Sequence, residues 1–157
     1  MRNWLYPLLL LPGLLNATNS PPIFSTGVGL YNVTGIHKRV FVQLEYKFSP
    51  FYWHFRPQVG GMITEQKTTY FYGGIACDLY LVDKIVLTPS FSPGLYIQAG
   101  GKNLGFPLEF RSGLSFAVER DYFRLGAEFF HLSHGHIVKR NPGVNSLVFY
   151  LSIPFSK

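Results

Sequence analysis

His131 and Ser133 stand two residues apart in the stretch "FFHLSHGHIVKRNPGVNSLVFYLSIPF", Phe129 to Phe155, among aromatic and aliphatic residues. A neutral imidazole beside a hydroxyl is the smallest unit that activates a serine: a ring nitrogen takes the proton and the oxygen attacks. On a strand, residues i and i+2 share a face with Cα atoms about 6.5–7 Å apart, near enough for a hydrogen bond when both side chains lean together. The plainer reading is an interfacial histidine and a polar strand-end residue that mark where lipid gives way to water. Which reading holds depends on the face that the surrounding strands give the pair.

The composition narrows the class of protein. The chain has 157 residues, enough for one domain, and is 47% hydrophobic and 17% aromatic but only 14% charged, against about a quarter charged in soluble domains. That is too little charge to coat a soluble globule. No run reaches the roughly eighteen apolar residues of a membrane-spanning helix. Residues 1–20 have a positive start at Arg2, an apolar run from Leu8 to Leu15 and a polar exit, the pattern of a secretory signal peptide. A single domain over 21–157 follows. Cys77 is alone, so there is no disulfide framework. The net charge of +6 comes without a basic helix, which argues against nucleic acid and for an anionic lipid surface as the partner.

Beyond residue 22 the periodicity is that of strands. Leu108, Phe110, Ser112, Leu114, Phe116 and Val118 alternate with Glu109, Arg111, Gly113, Ser115, Ala117 and Glu119; Val42, Leu44, Tyr46 and Phe48 alternate with Gln43, Glu45 and Lys47. The pattern predicts eight strands, near 23–33, 38–49, 53–64, 69–82, 84–98, 107–119, 122–134 and 144–155, the smallest usual size of a membrane barrel. Tight connections ("FSPFY", "VDK", "RDY") alternate with longer polar ones ("NVTGIHKR", "TEQKTT", "AGGKNLGFP", "HGHIVKRNPG"), as periplasmic turns and external loops do in outer-membrane barrels. Glu45, Lys47, Arg56, Asp78, Glu109, Arg111, Glu119, Arg124 and Glu128 all fall on the less apolar parity. There they can pair inside a narrow lumen, where an unpaired ion would be very costly.

The fold expected is therefore all-β, an eight-stranded antiparallel transmembrane β-barrel of the outer membrane, with the apolar parity toward lipid. A soluble lipid-binding cup would put that parity inside. Gly60 with Gly61 and Gly73 with Gly74 interrupt strand patterns and suggest bulges or tight curvature. His131 and Ser133 share parity with Leu125, Ala127 and Phe129, and Asn145 with Leu147, Phe149, Leu151 and Ile153, so all three should face lipid. With periplasmic termini they lie at the external end, in the outer leaflet.

The run "HLSHG", followed by "NPGVNSL" and a closing apolar strand, resembles the PagL-type lipid A 3-O-deacylases of Gram-negative outer membranes. The resemblance implies hydrolysis of the acyl ester at the 3 position of lipid A, with Ser133 as nucleophile, His131 as general base, Asn145 at the position of the acid that orients the histidine, and Asn141 as oxyanion donor. The chain departs from the family pattern twice: His134 follows the nucleophile where the family often has Asn, and Asn145 is not a carboxylate. An amide oxygen can hold the ring, as in Cys-His-Asn proteases, but gives an imidazolium less support. Lys139 and Arg140 are a loop tip or a clamp for lipid A phosphates. His131 and His134 have opposite parity and no Cys or carboxylate completes a set, so no metal and no cofactor is expected. The expected partners are lipid A or lipopolysaccharide and the membrane, with no nucleic acid; the sequence leaves a homodimer open. The competing function is a non-catalytic small barrel serving adhesion or membrane structure.

Overall fold

A computed structural model describes residues 19–82 and 84–155. Most of the expected signal peptide therefore lies outside the described residues. The strands are β1 (Ile23–Tyr31), β2 (Arg39–Lys47), β3 (Phe55–Thr64), β4 (Thr69–Cys77), β5 (Leu79–Val82), β6 (Ile85–Ile97), β7 (Leu108–Glu119), β8 (Arg124–Ser133) and β9 (Val144–Pro154). They form one antiparallel sheet in the order β4-β3-β2-β1-β9-β8-β7-β6-β5, which the pairing of β4 with β6 closes into a barrel. β4 and β5 are two lengths of one stave, so the barrel is eight-stranded, as the period-two pattern predicts. Closure pairs β4 on both sides, so the sheet can cross a bilayer, and among the described residues only the short β5 is paired on one side alone, with β6.

The interruption between β4 and β5 has a local cause. The register against β6 is the same on both sides of it, Ala76 opposite Ser90 and Leu79 opposite Leu87. In that register Cys77 faces Pro89, which has no amide hydrogen for the ladder. Asp78 is buried beside the gap, and its carboxylate meets Arg56 Nε at 2.9 Å and Arg124 Nη1 at 3.2 Å.

Alternation puts the charges inside. Glu45, Lys47, Arg56, Asp78, Glu109, Arg111, Arg124 and Glu128 are all buried, whereas Val28, Leu44, Phe71, Phe91, Phe116, Leu125, Phe149 and Ile153 are exposed on the outer wall. A soluble cup would show the reverse. Arg111 binds Glu128 at 3.0 Å, Gln43 at 3.2 Å and Glu45 at 3.6 Å, and Lys47 binds Glu45 at 3.1 Å. The other half of the lumen is filled by Tyr31, Phe41, Met62, Tyr70, Tyr96, Leu104, Phe130 and Leu132. The interior is thus a packed core and not a channel.

The expectation of bulges at the paired glycines is not met. β3 and β4 pair without a shift through Gly60↔Tyr72, Gly61↔Phe71, Val59↔Gly73 and Gln58↔Gly74. Gly60 and Gly61 instead clear space for aromatic side chains, a Cβ on Gly60 lying 2.5 Å from the Tyr72 ring and one on Gly61 3.0 Å from that of Phe71, while a Cβ on Gly74 would run into the Phe91 carbonyl. Tyr72 uses the room to donate its hydroxyl to Glu45 Oε2 at 2.8 Å.

Ile23 is paired with Pro154, so the barrel begins and ends at one mouth, the periplasmic one by the rule of short turns and long loops. The opposite, external mouth carries the connections 32–38, 65–68, 98–107 and 134–143. The ends of β8 and β9 meet there.

Candidate active site

His131 and Asn145 are direct cross-strand partners between β8 and β9. Both point outward, as Leu125, Phe129, Leu147 and Phe149 do. His131 Nδ1 donates to Asn145 Oδ1 at 2.6 Å. An amide oxygen only accepts, so this bond holds the ring proton on Nδ1 and leaves the Nε2 lone pair to act as a base. Asn145 is fixed in turn from the β1–β2 connection: its backbone carbonyl accepts from Val33 N–H at 2.9 Å, and its Nδ2 donates to Thr34 Oγ1 at 3.1 Å.

Ser133 closes β8 on the same outer face and is half-buried. Its hydroxyl is not hydrogen-bonded to the ring among the described residues. The spacing of about 6.5–7 Å between Cα atoms two apart on a strand leaves that contact to side-chain rotation, and catalytic hydrogen bonds commonly tighten only when substrate binds. Gly143 lies against the far edge of the ring. It has φ +50, and a Cβ there would fall 2.7 Å from His131 Cε1 and 3.1 Å from Nε2, so glycine suits both the backbone and the clearance.

Asn141 is in the same connection, from His134 to Gly143. Its Nδ2 lies 3.5 Å from His136 Nδ1, and its Oδ1 is buried without a hydrogen-bond partner among the described residues. It is therefore turned to His136. Lys139 and Arg140 have exposed side chains at the tip of this loop. His134, which interrupts the family pattern, faces the lumen, fully buried, where its Nε2–H donates to the Arg140 carbonyl at 2.8 Å. It clips the loop to the barrel mouth. Lys102 adds a second clip from the β6–β7 connection, with Nζ donating to the Gly143 carbonyl at 2.7 Å and to that of Pro142 at 3.2 Å.

The structure thus joins His131 to Asn145, sets Ser133 beside them on one face, and holds Asn141, Lys139 and Arg140 on the loop above. Sequence reasoning missed Thr34, Gly143 and Lys102. Thr34 and Lys102 lie in loops, where no alternation assigns a direction; the "NPG" turn was the available signal for Gly143.

The fold alone does not select among functions. The structure of the outer membrane enzyme PagL matches with a TM-score of 0.64 at 17% identity, covering 85% of this chain and 99% of that one. A de novo designed transmembrane β-barrel matches at 0.60 and 10% identity, covering 89% and 100%, and Neisserial surface protein A (NspA) at 0.52 and 13%, covering 89% and 99%. No curated protein sequence matches significantly. The selection comes from the sequence family: the model described as Lipid A 3-O-deacylase (PagL) matches residues 14–154, a span that includes the β8–β9 site and all the barrel strands. A closed barrel with an apolar outer wall and a match over this length make the chain an outer-membrane lipid A deacylase, an ester hydrolase that belongs to the PagL family of Gram-negative bacteria.

Proposed function

We propose that Ser133 is the nucleophile of this deacylase, His131 its general base and Asn145 the residue that orients the base, with the ester at the 3 position of lipid A as the bond cleaved. The observation that carries the reading is the 2.6 Å bond from His131 Nδ1 to Asn145 Oδ1, on the lipid face and beside a serine. Nothing in the barrel's packing calls for that arrangement on the outer wall. A substrate anchored by several acyl chains stays in the outer leaflet, and a site on the wall meets it there.

In the first half-reaction Ser133 Oγ attacks the ester carbonyl carbon while its proton passes to His131 Nε2. Negative charge collects on the carbonyl oxygen, and Asn141 Nδ2, once released from His136, together with backbone amides of the loop, donates to it. The tetrahedral intermediate collapses, the C–O bond to the sugar breaks, and Nε2 returns the proton to the departing sugar hydroxyl. Water then attacks the acyl-serine carbonyl while Nε2 takes its proton, the bond from the acyl carbon to Ser133 Oγ breaks, Nε2 returns the proton to Oγ, and the fatty acid leaves. Asn145 supports the imidazolium as a neutral acceptor, more weakly than a carboxylate would. Lys139 and Arg140 are suited to the lipid A phosphates, to which their exposed cationic groups can donate. One barrel supplies every residue in this scheme, so the proposed chemistry requires no second copy.

The test is mass spectrometry of lipid A exposed to the purified protein in detergent. Loss of one 3-linked hydroxyacyl chain with the wild type, and none with Ser133→Ala, is the expected result. Release of a chain from another position would refute the regiochemistry, and wild-type turnover by Ser133→Ala would refute the nucleophile.

A further inference from the structure

Replacing a carboxylate by an amide changes more than charge. A carboxylate has two equivalent acceptor oxygens, so either can face the imidazole. An amide has one accepting end and one donating end. If Asn145 turned its Nδ2 toward the ring, that N–H would bind the Nδ1 lone pair, move the ring proton to Nε2 and remove the base. The exchange is worst during reaction, because an imidazolium Nδ1–H and an amide N–H would then point at each other. An asparagine here therefore needs a partner that keeps its donating end away from the histidine.

Thr34 stands in that place. Its Oγ1 accepts from Asn145 Nδ2 at 3.1 Å, on the side of the amide opposite His131. The loop that carries it is itself held: Asn32 turns at φ 59, Gly35 N–H donates to the Asn32 carbonyl at 3.0 Å, and Asn32 Nδ2 donates to the His37 carbonyl at 3.1 Å. Val33 N–H continues the ladder onto the backbone carbonyl of Asn145 itself. Thr34 is thereby fixed against Asn145 by its own loop and by β9.

We infer that Thr34 is a positioning residue of this deacylase, acting through Asn145 by accepting from its Nδ2 while its Oδ1 serves His131, so that the amide is held in place beside the ring, in a line that runs Ser133, His131, Asn145, Thr34. The inference rests on the Ser133–His131–Asn145 reading. A hydroxyl can donate as well as accept, so with a neutral ring Thr34 would tolerate either amide orientation. With the imidazolium only one orientation is compatible: Oδ1 accepts from Nδ1–H, Nδ2 donates, and Thr34 must accept. Its contribution therefore falls in the charged state that forms on the way to the tetrahedral intermediate. By accepting from Nδ2 it also polarises the amide and draws electron density onto Oδ1, which returns part of the support that the missing carboxylate would give.

The experiment measures kcat and KM for fatty-acid release from lipid A by the purified full chain in detergent. Thr34→Val removes the hydroxyl at nearly constant shape, Thr34→Ser keeps it, and each is made with Asn145 intact and with Asn145→Ala. The expected result is a kcat lowered about three- to tenfold by Thr34→Val at unchanged KM, recovery in Thr34→Ser, and no further loss when Thr34→Val is added to Asn145→Ala. Wild-type kcat in Thr34→Val overturns the inference. So does equal slowing by Ser and Val, or the same loss on the Asn145→Ala background, since Thr34 would then act as a loop stitch and not through the amide. Ser133→Ala serves as the control for the reading beneath: turnover surviving there removes the catalytic assignment itself, a different outcome from failure of Thr34 alone.

Discussion

The lumen and the outer wall both hold polar groups away from bulk water, and they do so in opposite ways. Inside, Arg111 is fully buried, binds Glu128, Gln43 and Glu45, and lies with its guanidinium 4.1 Å from the Phe130 ring centroid and 4.7 Å from that of Tyr72. Glu45 is shared again with Lys47 and Tyr72. Arg111, Glu45, Glu128 and Tyr72 each have more than one partner, so moving one of them disturbs another. Outside, His131, Asn145 and Thr34 form one unbranched line of hydrogen bonds at the barrel mouth. A branched network resists change and holds the shape; the single line leaves one end, His131 Nε2, without a hydrogen-bond partner among the described residues, which the proposed scheme uses to take the Ser133 proton. If the proposed assignment holds, the stability of this barrel and its chemistry are separable by mutation.

The largest effect expected from that separation is on activity. Ser133→Ala and His131→Ala should each lower turnover at least about a thousandfold, more than about 4 kcal/mol of transition-state stabilisation, while heat-modifiable migration on a gel remains that of the wild type. Neither side chain fills the lumen, so neither change opens a cavity. Misfolding of either variant would break the distinction between wall and core.

The converse variant is Arg111→Leu, which leaves Glu128 without its cation and Glu45 with Lys47 alone. Breaking a buried pair from one side costs about 3–5 kcal/mol, and unfolding in urea from lipid vesicles should show a loss of that order. Lys139→Leu, on an exposed loop, should stay within about 0.5 kcal/mol of wild type. Equal stability of the two variants would mean that water or counterions, and not the pairing, satisfy the lumen.

How much of this could be read beforehand follows from the same contrast. Alternation gave the strands, the sorting of Arg111 and Glu128 from Leu125 and Phe129, and the lipid-facing parity of His131, Ser133 and Asn145, because burial on a closed barrel has period two. Alternation says nothing about register. That His131 faces Asn145 depends on the length and path of the connection from residue 134 to 143, and that Gly60 admits Tyr72 depends on the pairing of β3 with β4. Loops have no period, so Thr34 and Lys102 carried no signal. Glu109 also escaped the expectation that lumenal charges pair: it is buried, and among the described residues both its carboxylate oxygens lack a hydrogen-bond partner.

A smaller effect sharpens the comparison within the outer line. Asn145→Ala removes the acceptor that holds His131 but leaves the serine and the ring in place, so turnover should fall about tenfold, or about 1.4 kcal/mol, with the barrel folded. Asn145→Glu restores a carboxylate and should recover at least wild-type turnover. Unchanged turnover in Asn145→Ala would reduce the machinery to a Ser133–His131 dyad.

The smallest effect belongs to the loop tip. Arg140 lends its backbone carbonyl to His134, a contact that survives removal of its side chain, and the side chains of Lys139 and Arg140 are both exposed. They are cations of a third kind, neither locked in the lumen nor part of the catalytic line. Should they clamp lipid A phosphates, the double variant Lys139→Ala with Arg140→Ala would raise KM about threefold at unchanged kcat, because exposed charge pairs contribute little and salt screens them. The difference from wild type should shrink as sodium chloride rises from low to physiological concentration, while the loss caused by Asn145→Ala, a short contact between neighbouring side chains, should not. A KM that responds to neither the double variant nor salt would leave the phosphates to other residues of the external mouth and return this loop tip to plain solvation.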